Sequence, residues 1–418
     1  MMTGTTLFNM SKAMWVEKIQ LTLILGILFF IPISPAAPNL LGVLLIIVWL
    51  WQGEYRQSWE RVKSQPIFWA FLVYLVWYPA SLLWSANQEW GIHMVERHML
   101  YLMFPFVFMA VRHKYLRYYL SAFIFGVTFT EIVSYLVWLE VIHISGVSPH
   151  DPTPFYNHIE YNPMLAWAIY LLMYAFFFEK HSVALKLVYG FFITTMTINM
   201  FITGGRGGQV TYFVIIGLLF LQYFSLHKQL LKGVVLACVF TGGVFALAYN
   251  LSPLFQSRVD MAVKEVQEYT PQSHGSVSYR VQMYVNTIKL SFDRPLDEVL
   301  LGSGVGDFPE DYTKYVGPDA VFKMVAGKDG HSHPHNQYLY QLGALGVIGL
   351  LSLLAIFWAA IKATDRIEDD YRYYRWAFLV FIAMIMLSDS LLLAHPTSVL
   401  FIVFSAVLYA QNCRNKGA

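Results

Sequence analysis

Residues 336–361 read NQYLYQLGALGVIGLLSLLAIFWAAI, and no Asp, Glu, Lys or Arg interrupts them. A helix rises about 1.5 Å per residue, so a run this long reaches across the roughly 30 Å hydrocarbon core of a bilayer. A helix on the outside of a soluble protein would need one polar face, and this one has none. The stretch therefore predicts a membrane crossing, and the rest of the chain repeats its pattern. Hydrophobic residues make up 57% of the 418 and charged residues 13%, against a charged share of about 25% in ordinary soluble domains. Apolar blocks recur at 18–34, 38–52, 66–84, 98–111, 116–140, 161–178, 187–203, 208–225, 232–250, 374–393 and 396–411, which with 336–361 makes twelve expected spans.

The distribution of cations orients these spans, because short cytoplasmic loops collect Lys and Arg. With a cytoplasmic N-terminus, the cytoplasmic segments hold eighteen of the 28 cations, among them Lys12, Arg56, Arg112, Lys180, Lys228, Arg372 and Arg414. The short outer connections hold two, Arg97 and Arg206, and the segment 251–335 holds eight. The expectation is an all-α polytopic bundle of about twelve transmembrane helices, with both termini cytoplasmic. Helices 1–9 fall in residues 1–250, one large periplasmic loop in 251–335, and helices 10–12 with a cytoplasmic tail in 336–418. Within the loop, Ser257–Tyr269 and Val277–Phe292 have helical spacing. The net charge of +2 is too small to recruit nucleic acid. Cys238, in an apolar run, and Cys413, in the polar tail, offer neither a disulfide framework nor a thiolate metal site.

Chemistry must then come from a few polar residues on the outer face. Arg206 sits in Thr203-Gly204-Gly205-Arg206-Gly207-Gly208, on the side that otherwise avoids cations. Glycines such as Gly205 and Gly207 let backbone N–H groups approach a ligand, and a guanidinium beside them suits a phosphate. The bland account is an arginine snorkelling to headgroups from a hairpin. Before span 10 stands His331-Ser332-His333-Pro334-His335-Asn336-Gln337-Tyr338. His335, at the helix start, has the right chemistry for a general base. A metal reading of the histidines lacks a first shell within the motif, Asp329 being the near candidate. Arg280, in Ser276-Val277-Ser278-Tyr279-Arg280, is read in the first turn of a helix behind a serine cap. A cation there opposes the helix dipole unless an anionic ligand is shared. Leu301-Gly302-Ser303-Gly304-Val305-Gly306-Asp307 lacks the strand–turn–helix context of a nucleotide site and reads as a turn folding the loop onto the bundle. Arg97, in Glu96-Arg97-His98, is a third cation for an anion or a partner of Glu96.

Together these residues resemble the O-antigen ligase and polymerase family. The match lies in the glycine-rich turn around Arg206, in Ser278 and Arg280, and in 301–308. It also takes in His335-Asn336-Gln337-Tyr338-Leu339, followed by Gly343, Gly346 and Gly349. Gly205 stands where the family usually has serine. The resemblance implies a GT-C-like glycosyltransferase that moves a glycan from undecaprenyl pyrophosphate at the periplasmic face of the bacterial inner membrane. The late single loop points to a ligase with a lipid A–core acceptor, the alternatives being a polymerase or a protein O-oligosaccharyltransferase. His335, Arg206 and Arg280 are the expected catalytic residues. Arg97, Gly205, Gly207, Gly304, Asn336 and Tyr338 are expected at the substrate, among membrane lipids and with no metal and no cofactor. The oligomeric state is left open. A rival from another class is a secondary transporter, for which Glu131 and Asp389 would be the ionisable residues within spans and Pro79 and Pro105 the helix breakers.

Overall fold

The structure is a computed structural model that describes residues 4–270, 274–327 and 332–410. Among them, regular structure is helical throughout. The first half comprises α1 (Gly4–Phe30), α2 (Ala36–Gln52), α3 (Tyr55–Val62), α4 (Pro66–Ala80), α5 (Gln88–His98), α6 (Met103–Ala110), α7 (Leu116–Trp138), α8 (His158–Phe178) and α9 (Val183–Ile202). The second comprises α10 (Arg206–Leu226), α11 (Leu230–Leu251), α12 (Pro253–Gln267), α13 (Ser276–Phe292), α14 (Leu296–Leu301), α15 (Phe308–Val316), α16 (Gln337–Arg366), α17 (Arg372–Ser388) and α18 (His395–Tyr409).

Eight of these are long and apolar enough to cross a membrane, or nine if α2 and α3, bent by 115° at their junction, count as one. Each of the twelve expected spans falls on helix, but 38–52 meets that test only with α3 joined to α2, and three more fall short of it. The stretch read as one span at 98–111 is instead the end of α5, a 3₁₀ turn over Met99–Leu102 and the short α6. α17 and α18 have 17 and 15 residues. The opening stretch also differs from its reading. α16 breaks at Gly346, whose φ of 68° and ψ of −169° are not helical. The part after the break, 347–366, is itself about 30 Å long, and the part before it belongs to the site.

α8 shows why the bundle closes as it does. Its sequence is apolar all round, and 78% of its membrane-length window is buried, so it serves as the axis. α7, α9, α10 and α17 pack around it. α18 is buried along its whole length from Pro396, whereas only 11% of the α11 window is buried, which leaves α11 at the rim.

The segment 251–335 is folded onto one end of this bundle rather than apart from it. Met283 and Leu290 of α13, Val305, and Phe308 and Tyr312 of α15 share a core with Tyr78, Trp90, Met94, Tyr340 and Leu345. The glycine-rich turn is the fastener. Ser303 and Gly304 donate their N–H groups to the carbonyls of Gly343 and Ala344 at 3.2 and 2.9 Å. Asp307 accepts from the N–H groups of Ala86 and Asn87, both at 2.6 Å. Trp77 Nε1 donates to the Leu345 carbonyl at 3.2 Å. The carbonyls of 343–345, on the break in α16, thus all receive donors from outside the helix, as backbone polar groups inside a bundle must.

Candidate active site

The end of α17 and the starts of α10, α13 and α16 converge where the loop caps the bundle. Asp389 follows the last residue of α17 in extended backbone. The sequence marks it only as an ionisable residue inside a span, yet it stands at the centre of this convergence. Its carboxylate accepts from His335 Nδ1, 3.0 Å from each oxygen. Arg280 Nη2 and His333 Nδ1 each lie 3.9 Å from it, and its own side chain is 8% exposed.

His335 is held on three sides. Asn336 caps α16, its Oδ1 accepting from the N–H groups of Tyr338 and Leu339 at 3.0 and 3.1 Å. The Asn336 amide reaches the Leu387 carbonyl at 3.4 Å. Tyr284 donates to the His335 carbonyl at 2.9 Å, and His335 itself has a φ of 51°. A left-handed conformation at a non-glycine residue costs on the order of 1–3 kcal/mol and persists only where the surroundings impose it. Here the Asn336 cap, Tyr284 and Asp389 impose it. Arg280 and Tyr284 are four residues apart on α13, so one helix face presents both groups.

The Arg280 helix starts differently from its sequence reading. Gly275, with φ 149°, occupies the cap position and Ser276 is the first helical residue, so Arg280 falls in the second turn. The cap is supplied from outside, as Glu265 of α12 accepts the Val277 N–H at 2.6 Å. That leaves the Ser276 hydroxyl to accept from Arg206 Nη2 at 2.7 Å. Arg206 opens α10, and Arg280 and Arg258 are the two cations whose charge is felt at its guanidinium.

The glycines beside Arg206 are required by packing. A Cβ on Gly205 would stand 2.3 Å from the His158 carbonyl, and one on Gly207 2.6 Å from Ser388 Oγ, the residue before Asp389. The turn is pinned by Asp151, whose Oδ1 accepts the Gly204 N–H at 2.9 Å and whose Oδ2 lies 2.5 Å from His158 Nδ1. Burial works against the Asp151 charge, but the His158 and Gly204 hydrogen bonds and the charge of Arg258 hold its carboxyl below the usual range. Asn162 bonds the Gly205 carbonyl at 3.3 Å and accepts from Thr203 at 2.8 Å.

His335 and Asp389 open on a cavity of about 560 Å³ whose walls include Arg97, His93, Glu160, His333 and His395. Arg97 is thus brought to the site from α5. Gly304 is not, being packed against Ser85 beside the α16 break. Tyr338 spends its hydroxyl on the Ala383 carbonyl at 3.3 Å, and together with Asn336 it braces the histidine. His331 and Asp329 lie outside the described residues. Among the described residues, His333, His335 and Asp389 form one group whose ligand-type atoms all lie within 4.8 Å of one another, close enough to hold a metal ion. Arg280 already supplies positive charge to the same carboxylate. Of the site residues, Tyr284, Asp151 and Arg258 carry no motif and are passed over in the sequence, while Asp389 enters it only as an ionisable residue of the transporter reading.

Residues 191–354 match the family model described as O-antigen ligase. The matched stretch runs from α9 into α16, carries Arg206, Arg280 and His335, and supports the resemblance read from residues 203–349. The family supports a transferase role at a lipid-linked glycan. No curated protein matches the chain.

Proposed function

We propose that this multi-pass protein is an O-antigen ligase of the bacterial inner membrane. It transfers a glycan from undecaprenyl pyrophosphate to lipid A–core at the periplasmic end of twelve crossings, with both termini in the cytoplasm. The observation that carries the reading is the meeting of Arg280 and His335 at Asp389, where His335 and Asp389 line a cavity and the start of α10 packs against the neighbouring Ser388.

The chemistry follows from that arrangement. A carboxylate can only accept from Nδ1, so Asp389 keeps the proton there and leaves Nε2 as the basic nitrogen. His335 Nε2 takes the proton of an acceptor sugar hydroxyl as its oxygen attacks the anomeric carbon. The bond from that carbon to the phosphate oxygen breaks, and the electron pair leaves with the diphosphate. Arg206 and Arg280 stabilise that charge without a divalent ion. A single displacement inverts the anomeric carbon. The imidazolium formed is stabilised by Asp389, and Arg97 on the far wall lies where a second anionic or hydroxyl-rich part of a substrate would sit.

Complementation of a ligase-deficient strain tests this reading. The wild-type chain restores long lipopolysaccharide, whereas His335→Ala, Arg206→Ala and Arg280→Ala insert normally and lose on the order of 10²–10³ in rate each. Normal O-antigen ladders from His335→Ala would sink the base assignment. Restoration of chain elongation or protein glycosylation instead would move the acceptor to the polymerase or protein-transferase class. Activity that vanishes in chelator and returns with Mg²⁺ or Mn²⁺ would overturn the two-arginine account and return attention to the His333–His335–Asp389 group.

A further inference from the structure

Arg206 and Arg280 are the arginines that motif and family single out, but a third guanidinium stands at the same turn. Arg258 projects from α12, and its Nη2 lies 3.6 Å from where a Cβ on Gly204 would be, beside Asp151 Oδ2 and His158 Nδ1 at 3.4 and 3.5 Å. Glu265, two turns further along α12, caps α13, so one face of α12 looks onto the start of α10. Arg206 bonds Ser276 at the start of the Arg280 helix, and the charges of Arg258 and Arg280 both reach it. Three guanidiniums gather within one substrate's reach. Among the described residues, Glu265 lies by Arg206, Asp151 by Arg258 and Asp389 by Arg280.

These carboxylates offset the mutual repulsion of the guanidiniums, so the cluster is held together before any ligand arrives. The charge of the reacting anion also changes during the reaction. Each phosphate of a lipid–diphosphate–sugar is doubly esterified or bridged, giving about −2 in all. When the sugar–phosphate bond breaks, the terminal phosphate becomes a monoester with a second ionisation near pH 6, and the leaving group approaches −3. The charge that appears during bond breaking favours a further guanidinium contact to the leaving group.

We propose that Arg258 is a third diphosphate contact, which binds the charge that develops on the leaving group more than the charge already present on the donor. The proposal rests on the transferase reading above. A group that strengthens its interaction only as the bond breaks raises kcat and tightens product, and leaves donor KM nearly untouched.

The test is steady-state kinetics on the purified full-length protein in lipid nanodiscs, with the lipid-linked donor varied and undecaprenyl pyrophosphate added as product inhibitor. Arg258→Gln is expected to lower kcat on the order of 10- to 100-fold, with donor KM within about threefold of wild type, and to weaken product inhibition about tenfold. Arg258→Lys keeps the charge and recovers most of both, which a purely structural role of the side chain would not give. Wild-type kcat in Arg258→Gln, a change confined to donor KM, or unaltered product inhibition would each overturn the proposal. Should Arg258→Gln accumulate poorly, Arg258→Lys and Arg258→Met with normal abundance carry the same comparison. Arg206→Ala and His335→Ala run alongside separate the two readings. If they lose transfer while Arg258→Gln keeps it, the site stands and the role of Arg258 falls; if they too transfer normally, the site itself is wrong.

Discussion

Asp389 changes what His335 can do. An imidazole alone in a loop exchanges tautomers and ring orientations freely, whereas one hydrogen-bonded to a buried carboxylate holds a single tautomer and a single direction. Asp389→Asn keeps the shape but offers an amide that can face the ring with either its oxygen or its nitrogen, so the tautomer is no longer imposed. We expect a loss on the order of 10²–10³ in kcat with little change in abundance or donor KM, measured by the same transfer assay. A drop in abundance instead would make Asp389 a structural residue. His335 was legible in the sequence because the His-Asn-x-Tyr-Leu pattern stands before an apolar helix. Asp389 was not, because its partner lies 54 residues away and an acid at the end of an apolar run looks the same whether it pairs or merely marks the membrane surface.

At the scale of the element, the loop and the break in α16 form one device. Gly346 has a φ of 68°, and a Cβ there would meet the Leu300 carbonyl at 2.3 Å. A β-branched residue is both strained and obstructed at this position, so Gly346→Val should prise the glycine-rich turn from α16 and expose the segment 251–335 to protease. Asp307→Ala tests the other anchor. It strips two N–H groups of their acceptor at a cost of roughly 1–3 kcal/mol, the lower end applying because Ala86 can turn to water. Limited proteolysis in detergent should cut the loop faster in both variants. Equal resistance to wild type would mean that the apolar contacts of Met283, Phe308 and Tyr340 hold the loop unaided. Helical periodicity placed α12 and α13 within a few residues of their observed bounds, because amphipathic spacing is a local property. The break in α16 was hidden inside an unbroken apolar run. A glycine there reads equally as close packing between helices, and only the carbonyls facing Ser303, Gly304 and Trp77 distinguish a kink from a straight span.

At the scale of the whole molecule, the two ends of the bundle differ in chemistry. One carries the loop, the arginine cluster and the cavity. The other gathers Arg117, Lys180 and Arg372 around Asp369 and Glu179, with Lys114 paired to Glu17 and Arg375 fully buried and paired to Asp369. Successive helices from α7 to α11 and from α16 to α18 alternate between these ends, so the cations that orient the sequence do collect at one end of the fold. If that end faces the cytoplasm, the arginine cluster faces the compartment where lipid-linked glycans are exposed, and the direction of the protein in the bilayer decides whether the chemistry is possible at all. Single-cysteine accessibility measures it directly. With Cys238 and Cys413 replaced by Ala, Lys323→Cys on the loop and Lys180→Cys at the opposite end introduce one thiol each at exposed positions. A membrane-impermeant maleimide added to spheroplasts should label the cysteine at 323 at once and the one at 180 only after the membrane is permeabilised. Each of the two positions also controls for the other, since a misfolded variant would label at both. The reverse order would put Arg206, Arg280 and His335 in the cytoplasm. No rearrangement of loops could rescue a periplasmic transferase from that result, because turning the bundle over would leave every one of its cation-rich connections on the wrong side.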